Sequence, residues 1–186
     1  MGPPGAGKGT QAVGLAERVG GVHISTGDIF RHNVAEQTEL GKQAQKYMDA
    51  GQYVPDEVTN AMVRDRLSQP DAESFVLDGY PRTADQVAEL DDILGALGAD
   101  LDGVISLVVA DREELVQRMI KRAQTSGRAD DTEDVIRRRQ DVYDAETAAL
   151  IPMYRERGLV HEVDGVGTID EVAERIGAVV DAIVQG

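Results

Sequence analysis

Lys8 closes the stretch GPPGAGK, in which Gly2 and Gly7-Lys8 carry the spacing G-x-x-x-x-G-K. Glycines let successive backbone N–H groups turn inward and cup an anion. A lysine at the end of such a turn adds a point charge for the β- and γ-phosphates of a nucleotide. The residues from Gly9 onward read as a helix whose positive end faces the same phosphates. The common motif ends Lys-Ser/Thr, whereas this one reads Lys8-Gly9-Thr10. The hydroxyl that would touch Mg²⁺ is shifted to Thr10, so metal contact through water is expected. Gly5, Ala6, Gly7, Lys8, Gly9 and Thr10 form the candidate triphosphate cradle. An ordinary glycine-rich turn is the plain alternative, and the placed lysine and the following helix weigh against it.

The other candidate groups are a carboxylate and a set of spaced arginines. Asp78 ends the apolar run Phe75-Val76-Leu77, where a carboxylate has no packing role. Beside a phosphate loop it can hold Mg²⁺ or its waters; the alternative is a cap for the turn Gly79-Tyr80-Pro81. Arg82 follows Pro81, and Arg31 follows the turn Thr26-Gly27-Asp28. Arg118 and Arg122 are four apart and share a helix face. Arg128 stands in a polar stretch, and Arg139 in the next helix beside Arg137 and Arg138, which read as a solvated face. Planar guanidinium forks match phosphate oxygens in pairs. The chain holds fifteen arginines and four lysines within a formal charge of -15. GC-rich codon usage would give the same excess of Arg. The acidic balance argues against nucleic-acid and anionic-membrane partners.

Phosphate loops serve GTPases, ATPases and small kinases alike. No N-K-x-D guanine-reading motif supports a GTPase switch. HISTGDIFR (23–31), FVLDGYPRT (75–83) and GRADD (127–131), in this order with the loop, resemble the adenylate kinase family of nucleoside monophosphate kinases across essentially the whole chain. That resemblance implies reversible Mg²⁺-dependent phosphoryl transfer from ATP to AMP, giving two ADP. It implies that Arg31 and Arg82 hold the AMP phosphate. Thr26, the backbone of Gln52, Tyr53 and Val54, the turn Gly79-Tyr80-Pro81, and Gln86 would complete the AMP pocket. Lys8, Arg82, Arg118, Arg122, Arg128 and Arg139 would clamp the transferring group, Arg122 on the ATP side, Arg128 and Arg139 toward AMP. Asp130 and Asp131 would orient these arginines; helix capping ahead of Glu133 is their rival role. Gly165 or Gly167 would let backbone approach the ATP adenine. The segment 122–131 would be a lid, shorter than that of many bacterial members, with no cysteine and no room for structural zinc. Related UMP/CMP kinases tend to carry Ala at the position of Thr26, which favours AMP. A UMP/CMP kinase, or a nucleotide-binding module without turnover, are the competing readings. A monomer acting in the cytoplasm is expected.

The elements that must position these groups alternate. Apolar runs at 22–24, 75–77, 104–109 and 159–163 read as buried strands. Helical patterns occupy 10–19, 59–67, 84–97, 112–123, 133–149 and 169–184. The alternation predicts an α/β fold, a P-loop three-layer α/β/α domain spanning residues 1–186 with a parallel sheet. Residues 25–54 would form an inserted monophosphate-binding lobe and 122–131 the short lid. His161 lies in a strand-like run and reads as packed rather than catalytic. The family's strand order is 2-3-1-4-5, and its first strand precedes the phosphate loop. Only Met1 precedes the loop here, so a sheet with a gap or a weakened centre is expected, from a chain beginning about five or six residues late.

Overall fold

The computed structural model describes residues 1–126 and 132–185. In chain order the elements are α1 (Lys8–Val19), β1 (Val22–Ser25), α2 (Thr26–Ala35), α3 (Glu39–Asp49), α4 (Asp56–Leu67), β2 (Phe75–Asp78) and α5 (Ala84–Leu97). There follow β3 (Val104–Val108), α6 (Arg112–Ser126), α7 (Glu133–Val142), a π-helical turn (Tyr143–Thr147), α8 (Leu150–Glu156), β4 (Val160–Asp164) and α9 (Ile169–Gln185). Short polar side chains start several helices. The hydroxyls of Ser25, Thr38 and Thr83 accept from the N–H groups of Asp28, Gly41 and Gln86, satisfying amides that have no partner inside the helix.

All strand pairing is parallel. β1 pairs with β2, Val22 opposite Phe75 and Ser25 opposite Asp78. β3 pairs with β4, Val104 opposite Val160 and Val108 opposite Asp164. Among the described residues these are two separate two-stranded sheets, so the expected gap is present. At the gap the backbone of Met1 lies beside β3: its nitrogen donates to the Ile105 carbonyl, and its carbonyl accepts from Leu107 N at 3.0 Å. The phosphate loop is thereby tied to β3 by strand-like bonds, although no strand forms there.

Two hydrophobic clusters flank this gap, and a third brings Val87 of α5 against Val104 of β3. Ile24, Val63, Leu67, Tyr80, Leu90, Ile93 and Leu94 pack around β1 and β2. Ala6, Leu107, Val109, Leu115, Val163, Val172, Ile176 and Val180 pack around β3, β4 and α9. α1 touches β1, β2 and α9 and spans the two halves. Leu90 is 1% exposed, so Leu90→Ala is expected to cost about 2–5 kcal/mol, read as a lowered urea midpoint.

Two helical boundaries differ from the sequence reading. α6 continues to Ser126 rather than giving way to a loop at 122, since no glycine or proline interrupts it before Gly127. The helix expected over 133–149 ends at Val142 and widens into the π-helical turn before α8 begins. Pro152 lies in the first turn of α8, where its missing N–H costs no helical bond. The remainder of the expected lid, 127–131, lies outside the described residues. No helix among the described residues is long and apolar enough to cross a membrane.

Candidate active site

One cleft of about 850 Å³ gathers most of the candidate residues, within the range of small-molecule sites. The phosphate loop is one wall. Gly7, the N-cap of α1, sits at φ 93° and ψ 12°, a left-handed conformation in which other residues are strained. Lys8 is directed back over the loop, its Nζ donating to the carbonyls of Gly2 at 2.7 Å and Pro3 at 2.9 Å. Gln140 of α7 braces the same loop by donating to the Pro4 carbonyl at 2.7 Å. Ala6 does not face the cleft. It is 2% exposed and packs in the β3–β4 core.

Desolvation lowers the Lys8 pKa from 10.5 to about 8; Asp78 opposes the shift, and Arg82 and Arg122 add to it. In the nucleotide-free protein the ammonium is therefore lost as pH rises through about 8. The Michaelis constant for ATP is expected to rise about tenfold between pH 7 and pH 9, measured as initial rates at saturating AMP. The sign for stability is opposite. Between about 8 and 10.5 the unfolded chain binds more protons at this lysine than the folded one, so this group makes the unfolding free energy increase with pH in that window.

Asp78 faces the loop from the end of β2. A Cβ added to Gly9 would lie 3.3 Å from Asp78 Oδ2. Glycine at this position leaves that carboxylate open toward the phosphates, which accounts for the departure from Lys-Ser/Thr. His23 of β1 also lines the cleft, with Nε2 3.7 Å from Asp78 Oδ2. Among the described residues no cluster of three or more His, Cys, Asp or Glu forms a self-contained metal cage. A single carboxylate beside a phosphate cradle suits Mg²⁺, which takes one or two carboxylates and completes its shell with water and substrate phosphates.

Arg82 is held at both its backbone and its side chain. Its Nε donates to the Gly79 carbonyl at 2.6 Å, and its backbone N–H donates to Gln86 Oε1 at 2.7 Å. Its guanidinium stands 5.0 Å from the centre of the Tyr53 ring. Gly79 has φ +77°, and a Cβ there would lie 2.6 Å from Arg82 Nη2, so this residue cannot carry a side chain while Arg82 keeps its position. Desolvation lowers the Arg82 pKa; Tyr53 and Asp78 oppose the shift, and the charges of Arg139 and Arg31 add to it. Three guanidinium groups thus converge on one volume, a costly arrangement that an oligoanion would relieve.

The remaining candidates are placed as follows. Arg31 pairs with Asp28, and Arg118 binds the Gly165 carbonyl at 3.2 Å and pairs with Glu114. Arg122 and Arg139 line the cleft, as do Gly5, Thr10, Gln52, Tyr53, Val54, Tyr80 and Pro81. Thr26 donates its hydroxyl to the Gly79 carbonyl at 2.9 Å. Gln86 is 1% exposed and donates from Nε2 to Asp56 Oδ1 at 2.7 Å. Its amide is engaged at both ends, so it fixes the Arg82 backbone as well as bordering the cleft. Gly165 and Gly167 are not cleft residues. A Cβ at Gly165 would meet Val109 Cγ2 at 2.9 Å, so close packing against β3 requires this glycine. Arg128, Asp130 and Asp131 lie outside the described residues. Asp56, Gln140 and Thr147 were not singled out from sequence. Asp56 opens α4 as an acidic residue in its first turn, a helix-start signal; the other two show nothing distinctive before the chain is folded.

Comparisons with known proteins agree with this geometry. The family model described as Adenylate kinase matches residues 1–159. The chain is 61% identical over 184 residues to an adenylate kinase of Nocardioides sp., an alignment covering 98% of this chain and 96% of that protein. It is 60% identical over 182 residues to an adenylate kinase of Kocuria rhizophila, covering 97% and 96%. It is 58% identical over 184 residues to an adenylate kinase of Renibacterium salmoninarum, covering 98% and 95%. A phosphate loop, a strand-end carboxylate and convergent arginines thus lie in a chain that matches the family over nearly its whole length, and the protein belongs to the adenylate kinase family.

Proposed function

We propose that this chain catalyses ATP + AMP = 2 ADP, with the cleft between the phosphate loop and Arg82 as its active site. The observation that carries this reading is the convergence of Lys8, Arg82, Arg31, Arg118, Arg122 and Arg139 on one cleft that also holds Asp78. A single nucleotide does not call for so many cations in one volume. Two nucleotides meeting phosphate to phosphate do.

The acceptor is a phosphate oxygen of AMP, largely ionised at neutral pH because its second pKa is about 6. No general base is needed. The task is to bring two like-charged reactants together and to neutralise charge on the transferring group. Loop amides and Lys8 hold the donor phosphates. Arg31 and Arg82 fix the acceptor phosphate, and Arg118, Arg122 and Arg139 surround the group in transit; the family resemblance gives Arg128 the same part. Asp78 would hold Mg²⁺ through water, with the hydroxyl of Thr10 in the first turn of α1 as a further candidate, and the ion would neutralise charge on the phosphate oxygens. Segment 25–54 acts as a lobe that closes over the acceptor nucleotide. Closure excludes water and suppresses hydrolysis of ATP.

Thr26 and Gln86 border the AMP side and favour adenine over pyrimidines. Both already have internal partners, Gly79 for Thr26 and Asp56 and Arg82 for Gln86. Base selectivity therefore depends on whether the base takes over these bonds. A UMP/CMP kinase is the second reading. Steady-state ADP formation with AMP, UMP, CMP and GMP separates them: AMP is expected to be preferred, and equal or higher kcat/KM with UMP or CMP would overturn the assignment. A monomer working in the cytoplasm without nucleic-acid or membrane partners suits an acidic, cysteine-free chain with small-molecule substrates. Structural zinc is not part of the proposal.

A further inference from the structure

A short relay of hydroxyls, from the candidate residue Tyr53 through Thr147, ends on Arg82. Thr147 Oγ1 donates to the Arg82 carbonyl at 2.8 Å, and Tyr53 Oη lies 2.7 Å from Thr147 Oγ1. A threonine hydroxyl has one proton. It is committed to the carbonyl, so Tyr53 is the donor to Thr147. The direction runs Tyr53 O–H to Thr147 O–H to Arg82 C=O, an arrangement in which each bond polarises the next. The ring of the same tyrosine lies against the Arg82 guanidinium. Tyr53 therefore grips both ends of Arg82, the side chain through its face and the backbone through its hydroxyl.

The three residues come from separate parts of the chain. Tyr53 lies between α3 and α4, Arg82 in the loop after β2, and Thr147 at the end of the π-helical turn. Thr147 is 5% exposed. A wider turn shifts the side chains after it relative to a regular α-helix, and here it delivers a hydroxyl to the loop. Arg139, which carries charge toward Arg82, lies on α7, which runs directly into that turn.

We infer that Thr147 and the Tyr53 hydroxyl are positioning residues that hold Arg82 in its phosphate-binding pose and link the 25–54 segment to it. The inference rests on the proposed role of Arg82 in binding the acceptor phosphate. Loss of the relay weakens the acceptor side selectively, because the donor nucleotide is held by the phosphate loop.

The test is steady-state ADP formation with each nucleotide varied in turn. Thr147→Val keeps the shape and removes the hydroxyl. It is expected to lower kcat/KM for AMP about tenfold, mainly through KM, with KM for ATP changed by less than about twofold. Thr147→Ser restores the hydroxyl and is expected to return kcat/KM to within about threefold of the parent. Tyr53→Phe keeps the ring and is expected to lose about threefold in kcat/KM for AMP. A merely destabilising substitution lowers the active fraction, hence kcat, and leaves the KM for AMP unmoved. A parental KM for AMP in Thr147→Val, KM values for both nucleotides rising together, or a Thr147→Ser protein no better than Thr147→Val would each overturn the inference. Should Thr147→Val fail to fold, Tyr53→Phe decides alone, an unchanged KM for AMP overturning it. Arg82→Ala is assayed in parallel. Full activity there would remove the reading of Arg82 itself, whereas an inactive Arg82→Ala beside a parental Thr147→Val removes only the relay.

Discussion

Arg82→Ala is expected to lower ADP formation by at least about a hundredfold while the protein stays folded, on the scale of losing one preorganised donor to developing charge. Fold and function separate at this residue for a physical reason. Its guanidinium is held by the Gly79 carbonyl and the Tyr53 ring, among other cations rather than in an apolar core. Removing it relieves repulsion with Arg31 and Arg139 and leaves one loop carbonyl beside an open cleft. The thermal midpoint should move little, and far-UV circular dichroism should match the parent. Rates from a coupled ADP assay at saturating ATP and AMP give the answer. A fully active Arg82→Ala protein would remove the adenylate kinase mechanism proposed for this cleft.

The second large effect is expected at Lys8. Lys8→Met preserves length and apolar bulk and removes the charge, and kcat is expected to fall about 10²- to 10³-fold. Stability should respond in the opposite sense. The lowered pKa means that the folded state disfavours the ammonium, so near neutral pH this charge opposes folding. The urea midpoint of Lys8→Met is therefore expected to equal or exceed that of the parent. The rise in thermal midpoint on adding ATP, which reports binding to the native state, should shrink. A lysine whose removal lowered both activity and stability would be a structural tie for the Gly2 and Pro3 carbonyls rather than a phosphate ligand. The two substitutions distinguish their sites by substrate: Lys8→Met weakens the response to ATP, and Arg82→Ala the response to AMP.

Much of this was legible in the linear chain because the phosphate-binding elements are local. The loop and the start of α1 are contiguous from Gly2 to Thr10, and Asp78 through Arg82 occupy one strand end and its turn. Local geometry there follows from residue type: glycine for positive φ at 7 and 79, and hydroxyls at 25, 38 and 83 for helix starts. The parallel strands and most helices followed from apolar periodicity.

Other features depended on contacts between distant residues. Gln140 reaches Pro4 and Arg118 reaches Gly165, and no spacing rule joins such pairs. The meaning of Gly9 emerged only when Asp78 was seen beside it. Gly165, one of the two glycines expected near a nucleotide base, has a packing reason of its own against Val109. The π-helical turn inside the 133–149 pattern was not visible, because residues 143–147 carry no glycine or proline and its signal lies in where Thr147 must point. The gap between the β1–β2 and β3–β4 sheets was anticipated from the position of the loop. How the molecule responds, with a hydrophobic cluster around each sheet and α1 touching both, was decided by packing. The sequence by itself determined the chemistry available, a phosphate cradle, a carboxylate and a set of arginines, because residue type and short-range spacing define those groups. Tertiary structure decided which cations share one volume, which side chains hold them there, and how closely Gly165 packs against β3, because these are distances between segments that propensity and periodicity do not encode.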